Sequence, residues 1–167
     1  MAPYDSAMAA TVATATAAAT PVKFSAQPSN DVIVNGTTQI EFDNVGIDTH
    51  SGYSAAENTY TIQVAGDYLV AAMMTIQSNT AAGGNGSRLY SAKVIVTSDG
   101  AAADLLYGTI QLGLDGTPSE IGTINMTTIH TFAVGDVIQV QNADGDNEAG
   151  NDRYLVNHRT NISLLKV

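Results

Sequence analysis

An all-β sandwich or barrel is the fold class that this 167-residue sequence predicts, and three observations predict it. Thr, Val and Ile recur in short runs. Fifteen glycines punctuate those runs. The turn clusters fall about every 8–12 residues, the spacing of strands joined by tight connections. Helix is scarce. With 44% apolar and only 13% charged residues, the chain is long enough for one domain with a real core, which at this size buries about 70% of the extended-chain surface.

Taken in order, the first element is a segment rather than a strand. Residues 1–21 are Ala- and Thr-rich, carry one charge at Asp5 and end at Pro21. Thr11, Thr14, Thr16 and Thr20 weaken the helix that Ala would tolerate, and the segment cannot build a core alone. An extended N-terminal arm, ordered on contact with a neighbour, is expected; a flexible tail is the plain alternative. Residues 22–167 form the domain. Its strands are expected at Val22–Ala26, Gln39–Val45, Thr59–Val64, Tyr68–Gln77, Arg88–Val96, Leu105–Leu112, Ile121–Thr131, Val137–Asn142 and Arg159–Lys166. Gly66 marks a tight turn into the Tyr68 strand, which reads as apolar on both faces from Tyr68 to Met74.

The order of motifs narrows the architecture. Glu41-Phe42-Asp43-Asn44-Val45, Gly52-Tyr53, Tyr60-Thr61-Ile62 and Gly66-Asp67-Tyr68-Leu69-Val70 follow one another, and Gly135-Asp136-Val137-Ile138 comes later. This order resembles the globular heads of complement and the tumour necrosis factor superfamily, from about Phe24 to Val167. Asn58-Thr59 and Ser163-Leu164-Leu165 depart from the usual pattern, as a distant member would. The resemblance implies a two-sheet antiparallel jelly roll with its last strand central, and a trimeric binding or assembly module rather than an enzyme. Low charge and strands apolar on both faces point to a buried trimer centre in the strands Tyr68–Met74 and Asn161–Leu165, with Tyr68, Val70, Met73, Ile162 and Leu164 as the candidates.

Charge supports assembly independently. Globular domains average about a quarter charged residues, so half that fraction implies more hidden surface than one protomer provides. The net charge of −10, with six Lys and Arg, argues against a phosphate-tracking surface and so against nucleic acid as a partner. No run approaches the ~20 apolar residues of a membrane span. The Met1-Ala2-Pro3-Tyr4-Asp5 start lacks a positive n-region, so export by the general pathway is not expected. Without cysteine there is neither a disulfide framework nor thiol chemistry.

One segment offers ligand chemistry. Asp144, Asp146, Asn147, Glu148 and Asp152 place several hard oxygens in one turn-rich run, a possible calcium loop, although no helices flank it and no glutamate closes it. A solvated loop is the plain alternative. His50, His130 and His158 stand apart in sequence and no Gly-x-Ser-x-Gly elbow accompanies them, so no catalytic triad is expected. The glycine-rich stretch 79–87 joins two strands and opens no helix; it reads as an exposed loop and not a phosphate cradle.

The expected function is a non-enzymatic virion structural protein: a homotrimeric capsid decoration protein that binds a capsid or other virion protein, stabilises the shell, needs no cofactor and assembles in the host cytoplasm. The alternative is a receptor- or glycan-binding head of a fibre or surface protein, using the loops at 79–87 and 144–152.

Overall fold

The computed structural model describes residues 21–33, 37–79, 87–113, 120–143 and 152–167. Among them the chain forms thirteen strands: β1 Lys23–Gln27, β2 Val32–Ile33, β3 Thr37–Gln39, β4 Asn44–Asp48, β5 Tyr53–Ser54, β6 Thr59–Thr61, β7 Gly66–Asn79, β8 Ser87–Ser98, β9 Ala101–Gly113, β10 Glu120–Phe132, β11 Val137–Ala143, β12 Asp152–Leu155 and β13 Asn161–Lys166. All pairings are antiparallel, in two sheets. A seven-stranded sheet runs β2-β12-β7-β13-β1-β4 with β10 on the free side of β7, and a six-stranded sheet runs β5-β6-β11-β8-β9 with β3 beside β11. The expected two-sheet jelly roll is the fold observed.

β7 is the spine of the larger sheet. One side pairs with β10 in unbroken register from Gly66–Phe132 to Ser78–Glu120. The other side pairs first with β13 and then with β12. Between those two a 3₁₀ turn, Asn157–Arg159, interrupts the ladder. The backbone of Thr75 is served there by its neighbours: its N–H donates to Thr160 Oγ1 at 3.2 Å, and its carbonyl accepts from the Val156 N–H at 2.9 Å. The last strand, β13, lies between β7 and β1, centrally as expected.

The core follows from strand alternation. Tyr68, Val70, Ala72, Met74 and Ile76 point inward from β7 and are buried; Tyr90, Val94, Val96, Ile138 and Val140 oppose them from the smaller sheet. Phe24 stacks on Tyr53 with ring centroids 5.4 Å apart and lies 4.5 Å from the ring of Tyr60. The Gly135 turn is fixed by a buried carboxylate. Asp136 accepts the Ala133 N–H at 2.9 Å and the Ser98 hydroxyl at 2.6 Å, while Gly135 (φ 93°) donates its N–H to the Ile62 carbonyl.

Several strands differ from expectation. The single strand expected at Gln39–Val45 is two, β3 beside β11 in the smaller sheet and β4 beside β1 in the larger, with Ile40 and Phe42 buried where the chain crosses between the sheets. The Thr59 strand stops at Thr61, where Ile62 is taken up by the Gly135-Asp136 turn. The Arg159 strand begins at Asn161, after the 3₁₀ turn. β2, β5 and β12 span two to four residues, too short for alternation to register. β8 and β9 extend to Ser98 and from Ala101, joined by Asp99 (φ 50°) and Gly100 (φ 79°). Both residues take positive φ, as a type I′ hairpin demands, and the Asp-Gly pair is the signal that the sequence reading passed over.

Residues 1–20 of the arm lie outside the described residues. The arm's last residue, Pro21, is exposed, and its carbonyl accepts the Thr49 hydroxyl at 3.0 Å.

Candidate assembly surface

The same alternation that buries one face of β7 turns the other outward. Across β10, β7 and β13 the outward residues stand in register rows: Ile129–Leu69–Leu165, Thr127–Ala71–Ser163 and Asn125–Met73–Asn161. The first row is an apolar bar across three strands, with Ile129 64% and Leu165 38% exposed and Leu69 half-buried. Ile121, opposite Gln77, is also exposed at the far end of β10. Between these ends lie small or uncharged side chains, so a partner surface desolvates no ion pair by covering the centre. At the closed end Thr75 Oγ1 donates to the Arg159 carbonyl at 2.8 Å and lies 3.1 Å from Thr123 Oγ1.

This placement corrects the residues proposed for a trimer centre. Tyr68, Val70, Ile162 and Leu164 point the other way and fill the protomer's own core; Met73 alone of the five faces outward, half-buried. A strand apolar on both faces carries no signal of phase, and one residue of phase exchanges the faces. Leu69 and Leu165, which lie within the strands expected at that centre, face outward, and so does Ile129 on β10, which the sequence reading did not single out.

Two grooves lie elsewhere among the described residues. One, of about 290 Å³, lies where β4 bulges away from β1 and is lined by Ser25, Ala26, Gln27, Asn44, Gly46 and Asn161. The other, of about 360 Å³, includes Asp31, Glu41 and Asp43. Two of these carboxylates, Asp43 and Asp31, are engaged internally. Asp43 accepts the Ser29 hydroxyl and N–H, and these bonds, the hydroxyl's above all, hold its carboxyl below the usual range; Asp31 accepts the Asn157 N–H at 2.9 Å.

Among the described residues no group of three or more His, Asp or Glu is placed to hold a metal ion. Of the calcium candidates, Asp144, Asp146, Asn147 and Glu148 lie outside the described residues and Asp152 opens β12. The glycine-rich loop lies outside them as well, at 80–86. His50 Nδ1 is 2.9 Å from Thr49 Oγ1, His130 meets the ring of Phe132 edge-on at 4.6 Å, and His158 belongs to the 3₁₀ turn.

No family model matches the sequence, and no curated protein matches it either. The likeness is structural. Murine APRIL superposes with a TM-score of 0.65 at 14% identity, over 89% of this chain and 100% of that one. Eiger TNF from S. frugiperda gives 0.67 at 13% identity, over 88% and 92%. The fold is the tumour necrosis factor-like jelly roll. The globular domain of zebrafish complement 1qA protein shares it, with a TM-score of 0.62 at 13% identity over 89% and 98%. The tumour necrosis factor-like jelly roll of this chain therefore presents its apolar bar on the outer face of the larger sheet, built by β10, β7 and β13.

Proposed function

We propose that this chain is a non-enzymatic homotrimeric binding head that packs through the outer face of its seven-stranded sheet and serves as a virion decoration protein. The observation that carries the reading is the Ile129–Leu69–Leu165 bar: three large apolar residues in register on a face that no strand among the described residues covers. Such a patch marks a protein–protein contact. The low charged fraction of 13% points the same way, and the net charge of −10 fits a multi-copy protein that stays soluble and avoids nucleic acid.

In this reading the trimer bridges capsid subunits and stabilises the shell by binding its assembled form, with no covalent step and no cofactor. Assembly takes place in the host cytoplasm, on the virion. The second reading, a receptor- or glycan-binding head, draws on the likeness to APRIL and Eiger TNF. Light scattering tests the trimer: a mass three times the 17.3 kDa chain is expected, and a monomer at micromolar concentration overturns it. Adding the purified protein to shells stripped of it separates the two uses. Saturable binding with a raised shell melting temperature is expected; no binding to shells, with binding on a glycan or receptor array, overturns decoration.

A further inference from the structure

We infer that the groove between β1 and β4, with the free edge of β4, is the docking site for residues 1–20 of a neighbouring copy of this chain. The inference rests on the oligomeric reading above and adds a named contact to it. β4 is the terminal strand of the seven-stranded sheet and has β1 as its one neighbour among the described residues. Its outer edge offers N–H and C=O groups for another strand, the feature that sheet proteins otherwise blunt or cover. Val45 and Ile47 on it are exposed β-branched residues, suited to pairing with a further strand.

The groove specifies the kind of segment that fits. Its walls are a hydroxyl, a methyl, a glycine and three side-chain amides, from Ser25, Ala26, Gly46, Gln27, Asn44 and Asn161, with no charge among them. Gly46 keeps it open: a β-carbon there would lie 3.4 Å from Ser25 Oγ. A strand of small, uncharged residues with occasional hydroxyls is the complement, because close backbone approach needs small side chains and buried amides need partners. Residues 1–20 are such a segment, Ala- and Thr-rich with the single charge of Asp5.

The exit of the chain selects a neighbouring copy. Pro21 is held at the Thr49 end of β4 by the Thr49 hydroxyl, and Thr20, preceding a proline, is biased to extended backbone. Continued in the line of β1, a segment so biased would run past the end of its own β4 rather than back along it, which favours a neighbouring copy. Twenty extended residues reach about 70 Å, ample for an adjacent protomer.

Hydrogen exchange on the full chain and on a variant lacking residues 2–20 tests this. In the full chain the Val45, Gly46 and Ile47 amides exchange at least tenfold more slowly than in the truncated one, and adding a peptide of residues 2–20 restores the protection. Gly46→Val, which fills the groove without a left-handed backbone, removes the protection while the core amides of β7 stay slow. Equal β4 exchange in both chains overturns the docking; if light scattering still gives a trimer, the oligomeric reading survives that failure. Protection that persists in a dilute monomeric sample overturns the neighbouring-copy assignment, since the segment then folds on its own chain.

Discussion

Gly108 on β9 lies directly beneath Ile124 on β10: a β-carbon on the glycine would collide with Ile124 Cγ2 and stand 3.2 Å from Met126 Cγ. The relation is reciprocated across the same seam, where a β-carbon on Gly122 would lie 2.6 Å from Leu112 Cδ2 and also collide with Ile110. Each strand therefore supplies a glycine to receive the other's side chains, and the two sheets close at this edge without a gap. Gly108→Ala is expected to destabilise the protein by about 1–3 kcal/mol through overpacking. The cost should shrink on an Ile124→Ala background, a coupling that a urea double-mutant cycle measures directly.

The outward bar gives a second expectation. Leu69→Asp or Ile129→Asp places a carboxylate on the proposed contact face while leaving the inward residues of both strands untouched. Light scattering should then report monomers whose circular dichroism remains that of an all-β protein. A trimer that persists in both variants would move the interface elsewhere.

Two buried tyrosines are expected to respond oppositely to loss of the hydroxyl. Tyr68 donates to the Val64 carbonyl at 2.6 Å, so Tyr68→Phe should cost about 1 kcal/mol. The Tyr60 hydroxyl is buried with no partner among the described residues, so Tyr60→Phe should be neutral or stabilising by up to about 1 kcal/mol. Thermal denaturation of the pair decides, and a clear loss at Tyr60 would reveal a bound water.

Alkali should unfold the protein through the same groups. Burial pushes Tyr60 up to about 12 and raises Tyr53 and Tyr68 in the same direction. Below the ordinary tyrosine value near 10 both states are protonated, and the contribution is whole. Between roughly pH 10 and 12 Tyr60 ionises first in the unfolded chain, so stability falls as pH rises, by up to about 1.4 kcal/mol per pH unit for that residue, and the raised Tyr53 and Tyr68 act in the same direction. Stability measured across that range should fall less steeply in Tyr60→Phe.

How much of this was legible in the sequence depended on segment length and phase. The long strands β7, β8, β10 and β11 announced themselves through runs of Val, Ile, Leu and Thr, and the Gly66 and Gly135 turns through glycine beside aspartate. The two-residue strands β2 and β5 could not, because their pairing is imposed by their neighbours β12 and β6. At the candidate surface the strands were correctly located and their facing was not. Tyr68 and Leu69 are both apolar, so only the packed second sheet decides which one is inside.

The position of β13 between β7 and β1 has a consequence for biosynthesis. The central strand of the larger sheet is the last of the described strands to leave the ribosome, so β1 and β7 wait with one edge each unpaired by it until residues 161–166 are made. Closure is a late, long-range event, coupling residues near 24 to residues near 164, and topologies of this kind fold slowly. A nascent chain stalled before Asn161 would expose those edges to its neighbours on the same polysome, where crowding of identical copies favours mispairing.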